Sequence, residues 1–291
     1  MKKSIQLEND QLIAIINYDG AELSRLYSKT HEREILWDGN PKYWGRHAPV
    51  LFPFVGKLRG GKYKHEEQTY SLGQHGFARD KEFKLIEKSD LHCVLELKSS
   101  KETKKVYPFD FSFKTTFALT DNGLKTEYKI KNPENTALYF SLGAHPAFNC
   151  PMKNNKLEEY QLTFDKQENA QTLLLDETGL LSHEKSDFLR DDQHIVLSDE
   201  IFEKDALMFT DLRSTALTIN SEKDKIAVKV SWENFPFLGI WKPIGAPFIC
   251  IEPWQGIADY QDASGILSEK FGIVKLKSND VFVASYSVSI Q

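Results

Sequence analysis

The chain has 291 residues, of which 41% are hydrophobic and 27% are charged, so it has enough apolar side chain to form a large core. Its formal net charge is −5, and a mildly acidic chain without a basic block argues against nucleic acid as the main partner. No segment approaches the roughly 20 apolar residues that a membrane-spanning helix needs. Polar residues 8–11 follow the N-terminal lysines before any apolar segment forms, which argues against a signal peptide.

The three cysteines, Cys93, Cys150 and Cys250, are widely spaced and form no CxxC pair. An odd number of dispersed cysteines predicts a protein without a disulfide framework, which fits a reducing, cytoplasmic location. Each cysteine is expected to pack as a small hydrophobic side chain.

Alternation of apolar and polar residues dominates the chain. It runs through residues 91–97, 109–117, 124–130, 226–232 and 282–290. A period of two is typical of half-buried antiparallel strands. Turn signals occur at Asp19-Gly20, Asp38-Gly39, Gly60-Gly61, Asp121-Asn122-Gly123 and Asn132-Pro133.

Helical patterns are scarce. The best short candidates are residues 262–270 and 157–160, and the polar segment 183–205 is predicted to be a long surface excursion. We find no linker, low-complexity tract or internal repeat. Many strands joined by short polar turns predict an all-β protein, a large antiparallel β-sandwich that forms one domain over residues 1–291.

Three segments interrupt the alternation, and each places a titratable group among aromatic residues, glycine and proline. They are residues 44–79, 141–149 and 248–259. Such segments tend to be loops and strand ends, where functional sites are built.

Glu252 is the most informative single residue, because it ends the apolar run Phe-Ile-Cys-Ile. Burial of a carboxyl group raises its pKa and makes it a better base near neutral pH. Spacing alone favours the alternative interpretation, a structural carboxylate bonded to backbone amides or to an arginine. His75 and His145 lie in similar surroundings and are either proton carriers or buried histidines with both nitrogens satisfied.

No metal site is predicted, because the chain has no HExxH, no H-x-H and no paired cysteines. The sequence does not exclude that His75, His145 and Glu252 converge in space. Residues 56–63 (GKLRGGKY) nearly match a phosphate-binding loop, but Tyr63 replaces the Ser or Thr of that motif. The following residues predict a turn and a strand where the motif needs a helix, so Gly60-Gly61 is interpreted as a hairpin turn.

Four motifs, taken together and in this order, resemble the aldose 1-epimerase (galactose mutarotase) family, and most of all its LacX-type branch from lactic acid bacteria. They are PVLFP at 49–53, QHGFAR at 74–79, GAHPAFN at 143–149 and IEPW at 251–254. The resemblance extends from about Trp37 to the C-terminus. It implies a β-sandwich with a sugar site in a cleft, and an isomerase that needs no cofactor. It also implies a small-molecule sugar as partner, and we expect a monomer or weak homodimer.

The resemblance also implies residue roles. His145 matches the histidine that acts as general acid on the ring oxygen, and Glu252 matches the glutamate that acts as general base on the anomeric hydroxyl. His75 matches a second histidine that binds sugar hydroxyls. Asp205, in a looser motif, matches a sugar-binding aspartate.

The basic residues leave the substrate open between a hexose and a hexose phosphate. Galactose mutarotases carry an arginine where Lys57 stands here, and lysine lacks the planar fork that binds two oxygens at once. Arg59 is an alternative source of that fork. Arg46 and Arg79 fall where hexose-6-phosphate mutarotases hold phosphate-binding arginines.

Other classes of function remain open from the sequence. One is a non-catalytic carbohydrate-binding protein or sugar sensor on the same fold. Another is a glycoside hydrolase, in which Glu252 would need a second carboxylate such as Asp205 or Asp259.

Overall fold

The structure is a computed structural model that describes residues 3–152 and 155–291, and most of its regular structure is β-strand. The strands of the first half are β1 (Ser4–Glu8), β2 (Leu12–Asn17), β3 (Leu23–Ser28), β4 (Arg33–Glu34), β5 (Val50–Leu51), β6 (Lys62–His65), β7 (Gln68–Ser71), β8 (Lys84–Lys88), β9 (His92–Lys98), β10 (Ser112–Thr120), β11 (Gly123–Lys131), β12 (Leu138–Phe140), β13 (Leu142–Ala144) and β14 (Ala147–Asn149). Those of the second half are β15 (Gln161–Leu175), β16 (Leu181–Val196), β17 (Leu207–Phe209), β18 (Ala216–Asn220), β19 (Val228–Glu233), β20 (Phe237–Trp241), β21 (Phe248–Gln255), β22 (Val274–Leu276) and β23 (Val281–Ile290).

Within the described ranges, helical structure is limited to single 3₁₀ turns. They are Arg59–Gly61, Ala78–Asp80, Thr103–Lys105, Leu157–Glu159, Glu200–Phe202 and Leu267–Glu269. None of the described helices has the length and apolar character to cross a membrane.

One 15-stranded sheet forms the body of the molecule, in the order β5-β13-β21-β20-β17-β15-β18-β19-β23-β11-β10-β9-β8, with β14 added on β21 and β16 on β15. The remaining strands form a four-stranded sheet, β1-β2-β3-β4, and two strand pairs, β12-β22 and β6-β7. The pairings between these strands are antiparallel. The prediction of an all-β protein built from large antiparallel sheets is confirmed.

The core follows directly from the alternation in the sequence. In β10 the side chains are alternately buried and half-buried, so Phe113, Thr115 and Phe117 face inward. Buried side chains of β1–β3 belong to the same apolar cluster as those of β9–β11, which places the four-stranded sheet against the large one. Phe52 lies within this cluster, with ring contacts at 5.1–6.2 Å to five other aromatic residues. This packing anchors the segment that forms one wall of the candidate site.

Strand positions agree with the sequence better than strand ends do. The alternation over residues 109–117 begins before the strand, because β10 starts at Ser112, yet Phe109 and Phe111 are buried in the preceding segment. At the start of β9, Leu91 is 48% exposed and lies outside the strand. Alternation therefore identifies the buried side chains that precede β10, but at Leu91 it extends beyond the core.

Three predictions of local structure need correction. The surface excursion at 183–205 is mostly β16, which pairs with β15 in a long hairpin whose register shifts repeatedly and breaks the period of two. The helical candidates 262–270 and 157–160 contain one 3₁₀ turn each. Gly60-Gly61 precedes the β6–β7 hairpin, while the hairpin turn itself holds Glu66 at a φ of 53°.

Candidate active site

A cavity of about 330 Å³ lies at the end of the large sheet where β13 and β14 meet β21. Its wall comes from all three segments that interrupt the alternation, together with the tip of the β15–β16 hairpin and the residues before β17. This volume is at the small end of the usual range for ligand sites, which suits a ligand the size of a monosaccharide.

Strand register places His145 directly opposite Glu252. On one side of the pair, Gly143 of β13 is opposite Trp254, and on the other side Ala147 of β14 is opposite Cys250. Both pairings have the same register. His145 lies midway between Gly143 and Ala147, and Glu252 lies midway between Cys250 and Trp254, so the two residues are opposite each other. Side chains at opposed positions of antiparallel strands are close neighbours on one face. The backbone therefore brings together two groups that are 107 positions apart in sequence.

The two side chains are in contact and buried. His145 Nε2 lies 3.1 Å from Glu252 Oε2, and their side chains are 9% and 2% exposed. Neither Glu252 Oε2 nor His145 Nδ1 has a directed hydrogen bond to any described residue. Buried polar atoms usually have partners, so these two atoms retain unused hydrogen-bonding capacity.

Glu252 differs from a structural carboxylate elsewhere in the same chain. Glu168 is equally buried, but it accepts hydrogen bonds from the Arg213 and Ser214 backbone N–H groups at 3.1 and 2.7 Å. That arrangement is the structural alternative considered from sequence, and it applies to Glu168. Glu252 instead faces an imidazole and open space.

Burial dominates the electrostatics of the pair. It raises the pKa of Glu252 well above 4.5, and the charge of Asp205 adds to that shift. Burial lowers the pKa of His145 to about 3, helped by repulsion from Arg79 and Arg46. Both shifts favour neutral groups. Burial therefore favours a protonated carboxyl group beside an unprotonated imidazole in the ligand-free cavity.

Three rings hold the imidazole of His145 in place. Trp44 stacks on it with ring centroids 4.8 Å apart, and Trp241 contacts it edge-on at 5.8 Å. His75 approaches edge-on at 5.9 Å. Both tryptophans also line the cavity. Neither tryptophan is predicted from the sequence as a site residue, although Trp44 lies in the first of the interrupting segments.

His75 is held by its backbone against the segment after β5. Its φ is 67°, its N–H donates to Gly56 O at 3.0 Å, and its Nδ1 accepts from the Gly56 N–H at 3.1 Å. The next residue must be glycine, because a Cβ on Gly76 would lie 2.2 Å from Phe52 O. Burial, with repulsion from His145 and the arginines, lowers the pKa of His75 well below 6.5. A neutral ring whose Nδ1 accepts carries its hydrogen on Nε2, and this atom lies 3.1 Å from the side-chain amide of Gln74, which also lines the cavity.

The predicted basic residues divide into two groups. Lys57 and Arg79 line the cavity. The Lys57 ammonium donates to Thr178 O, 2.8 Å away at the tip of the β15–β16 hairpin, and so links the hairpin to the cavity wall. Arg59 points elsewhere, because its guanidinium donates to Ala263 O at 2.8 Å. The interpretation that Arg59 supplies a fork in the cavity in place of Lys57 is not supported.

Arg46 stands just outside the cavity wall and shares an acidic partner with Arg79. The guanidinium of Arg46 donates to Asp80 Oδ1 at 2.8 Å, while Arg79 Nε is 3.9 Å from Asp80 Oδ2. Arg79 also donates to Gln74 O at 2.8 Å, and its buried Nε has no hydrogen bond to a described residue. The two arginines make this side of the cavity positive.

A buried ion pair supports the wall from behind. Lys270 Nζ donates to Asp259 Oδ1 at 2.8 Å, with side chains 3% and 4% exposed. Asp259 Oδ2 accepts from the Arg59 N–H, and its backbone bonds to Lys57 O and to the Leu181 N–H. Asp259 therefore fixes both the segment that carries Lys57 and the start of β16. It lies outside the cavity, so it is not a second carboxylate for Glu252.

The structure brings together most of the predicted site residues. His145, Glu252, His75, Asp205, Lys57 and Arg79 line one cavity. Asp205 lies just before β17 in the left-handed region at a φ of 78°. Of the aromatic residues in the four motifs, Trp254 lines the cavity, whereas Phe52, Phe77 and Phe148 belong to the main core.

Potential metal donors are only partly those considered from sequence. His145 and Glu252 do converge, but the third donor beside them is Cys250, and the three ligand atoms lie within 4.8 Å of one another. The Nδ1 of His75 is already occupied by the Gly56 N–H. All three cysteines are free and buried, which confirms their expected packing.

Comparison with known proteins points to one family. The family model described as Aldose 1-epimerase matches residues 3–277. The plasmid form of protein LacX from Lactococcus lactis subsp. lactis is 32% identical over 298 residues, a match that covers 99% of each chain.

Solved structures agree with this. The galactose mutarotase related enzyme from Lactobacillus acidophilus has a TM-score of 0.95 and 35% sequence identity, and the match covers 99% of this chain and 97% of that one. A galactose mutarotase-like protein from Lactobacillus casei ATCC 334 has a TM-score of 0.93 and 29% identity, covering 99% of this chain and 100% of that one.

We predict that Lys270→Met destabilises the protein by about 3–5 kcal/mol, because it leaves the Asp259 carboxylate buried without its counter-charge. Urea unfolding followed by circular dichroism measures the change. Lys104→Met is the control, since Lys104 pairs with Asp110 at the surface, and it should leave the midpoint nearly unchanged. Equal midpoints for the two variants would contradict the importance of the buried pair.

Proposed function

The chain belongs to the aldose 1-epimerase family, and from that premise we propose that it is a mutarotase that interconverts the α and β anomers of a hexose by opening and closing the sugar ring. The observation that carries the proposal is the contact between His145 Nε2 and Glu252 Oε2, 3.1 Å apart in one cavity of monosaccharide size. The two sugar oxygens that exchange protons, the ring oxygen O5 and the anomeric hydroxyl oxygen, are both bonded to C1. A contacting acid and base can therefore reach both at once.

Ring opening requires two coordinated proton transfers. Glu252 accepts the proton of the anomeric hydroxyl, the C1–O5 bond breaks as a C1 carbonyl forms, and His145 delivers a proton to O5. Rotation about the C1–C2 bond exposes the other face of the carbonyl. The reverse transfers then close the ring as the other anomer and return both groups to their starting states.

The resting pair holds the one proton that this sequence of steps uses. In the empty cavity burial favours the protonated form of Glu252, and its Oε2 lies 3.1 Å from His145 Nε2, which receives the proton when a sugar binds. Hydrogen bonds from a bound sugar would stabilise the charged arrangement, a carboxylate beside an imidazolium, that the forward step needs. The sugar thus selects the reactive state of the pair.

Other cavity groups are suited to holding the sugar. Neutral His75 and the Lys57 ammonium offer hydrogen-bond donors, and Asp205 offers an acceptor. Trp44, Trp241 and Trp254 provide apolar ring surface and exclude water. These groups fix the ring so that its C1–O5 edge faces the His145–Glu252 pair.

We predict that Glu252→Gln and His145→Asn each reduce kcat by at least about 10²-fold with the fold intact, because one positioned proton transfer contributes about 10²–10⁴-fold. Polarimetry on freshly dissolved α-hexoses measures the rate, and circular dichroism checks the fold. Glu168→Gln and His92→Asn are the matched controls, since neither residue lines the cavity, and both should retain kcat. Full activity in either cavity variant would remove that residue from the mechanism.

We predict that kcat/KM does not fall when the pH is lowered through 6.5. Activity needs one proton on the pair, and it is lost at low pH only when His145 gains a second proton, which its pKa of about 3 delays. It is lost at high pH when Glu252 gives up the proton, and this loss follows the raised pKa of that group.

The profile is measured by polarimetry after subtraction of the buffer rate, over the range in which the protein stays folded. A fall in kcat/KM on acidification through pH 6.5 would show that His145 titrates as an exposed histidine, against the burial described here.

A second candidate substrate is a hexose phosphate, favoured by the position of Arg79. Its guanidinium lines the cavity, with a buried Nε that has no hydrogen bond to a described residue and Arg46 nearby. Guanidinium groups bind phosphate oxygens through two parallel hydrogen bonds, and a paired arginine strengthens this.

This candidate predicts that kcat/KM for glucose 6-phosphate exceeds that for glucose, and that Arg79→Lys removes most of the difference. A coupled assay for β-glucose 6-phosphate and polarimetry for glucose give the two values. If Arg79→Lys lowers kcat/KM for both substrates by the same factor, then Arg79 serves to hold the Gln74 backbone in place. A free hexose would then remain the proposed substrate.

The same assays separate the other classes of function. A carbohydrate-binding protein or sensor would bind sugars in calorimetry without any rate enhancement. A glycoside hydrolase would release reducing sugar from an aryl glycoside, with Asp205 as the second carboxylate, because Asp259 is bound to Lys270.

A further inference from the structure

Cys250 lies beside the catalytic pair on the same face of β21. It precedes Glu252 by two positions, and residues two apart on a strand point to the same side. Its side chain is fully buried, in a small cluster that includes Trp37, Ala147 and Phe248. It does not line the cavity, and the proposed proton transfers do not use it.

The three groups form a set of donors that suits a divalent metal. One ligand atom from each of His145, Cys250 and Glu252 lies within 4.8 Å of the others. Nitrogen, thiolate sulfur and carboxylate oxygen are the ligands of protein-bound Zn²⁺, at about 2.0–2.3 Å from the metal. A modest inward movement of the three side chains brings them to that spacing.

Two independent features favour a ligand at this point. Glu252 Oε2, one of the proposed ligand atoms, is buried without a hydrogen bond to a described residue. The cavity opens onto the His145–Glu252 side of the set, which leaves a fourth coordination position for water, as in zinc sites that keep an open position. The remaining side is closed by Trp44 and Trp241, which pack on the His145 ring.

We propose that His145, Glu252 and Cys250 form an inhibitory site for Zn²⁺ and similar thiophilic divalent cations. The metal displaces the thiol proton of Cys250 and the proton held by the His145–Glu252 pair, both of which pass to the solvent, and it occupies the Nε2 and Oε2 atoms that exchange protons with the sugar. Metal and sugar therefore exclude each other. The metal is an inhibitor and not a cofactor of the proposed reaction.

The test uses the full chain with Co²⁺ and Zn²⁺ as probes. Co²⁺ added to the wild-type protein should give a thiolate-to-cobalt charge-transfer band at a ratio of one metal per chain, and Zn²⁺ should abolish the band. Cys250→Ser should lose the band, whereas Cys150→Ser, a second buried cysteine, should keep it. Cys250→Ala provides a second variant should the serine hydroxyl disturb the apolar cluster.

The inhibition experiment rests on the proposed function, and its result is interpreted separately from the cobalt spectrum. Zn²⁺ should inhibit mutarotation by the wild type and Cys150→Ser alike, and Cys250→Ala should retain activity with at least about tenfold weaker inhibition. This is a lower bound, because loss of a group that only orients a ligand already costs about 10–100-fold in affinity.

The outcomes distinguish the two proposals. A cobalt band in a protein without mutarotase activity would uphold the metal site and overturn the function. Absence of the band in the wild type, or equal Zn²⁺ affinity of wild type and Cys250→Ala, would overturn the metal site and leave the function untouched.

Discussion

The candidate site depends on the register of a single strand. β21 pairs with β13 through Trp254 and with β14 through Cys250, and these two pairings leave His145 opposite Glu252. A shift of one residue in either pairing would turn Glu252 to the other face of the sheet. The aromatic and apolar packing around β5, β13 and β21 therefore has a chemical role, because it holds an acid and a base at 3.1 Å.

Burial explains why such a pair is useful. In water, a carboxylic acid and an imidazole keep separate pKa values near 4.5 and 6.5, and both are charged between those values. In the cavity, burial raises the pKa of Glu252 and lowers that of His145, so it favours the neutral form of each group. A site of this kind can exchange protons with a ligand in either direction without creating a net charge. The positive charge of Arg79 adds to the shift by opposing an imidazolium at His145.

The sequence predicts the fold better than it predicts the site. The period-two alternation reflects the burial of every second side chain, so β10, β11 and β23 can be predicted from the order of apolar and polar residues alone. The β15–β16 hairpin is not, because its register shifts interrupt the period. Glu252 and His145 were conspicuous for their apolar neighbours, but the pairing of β13 and β14 with β21 is long-range and leaves no local pattern.

Some residues of the site carry no signal that single-sequence reasoning can detect. The Arg59 guanidinium is held away from the cavity by its hydrogen bond to Ala263 O, a contact between residues far apart in sequence. Trp44 and Trp241 resemble core residues in sequence, and only their ring contacts with His145 and their place in the cavity wall distinguish them. The roles of the predicted residues remain predictions that rest on family resemblance and on this geometry.

A crystal structure of the protein with a bound aldose tests the central claim most directly. The account predicts that the ring oxygen and the anomeric oxygen of one sugar lie within hydrogen-bonding distance of His145 Nε2 and the Glu252 carboxyl group. A sugar whose C1–O5 edge faces away from this pair, or that contacts only one of the two side chains, would contradict it.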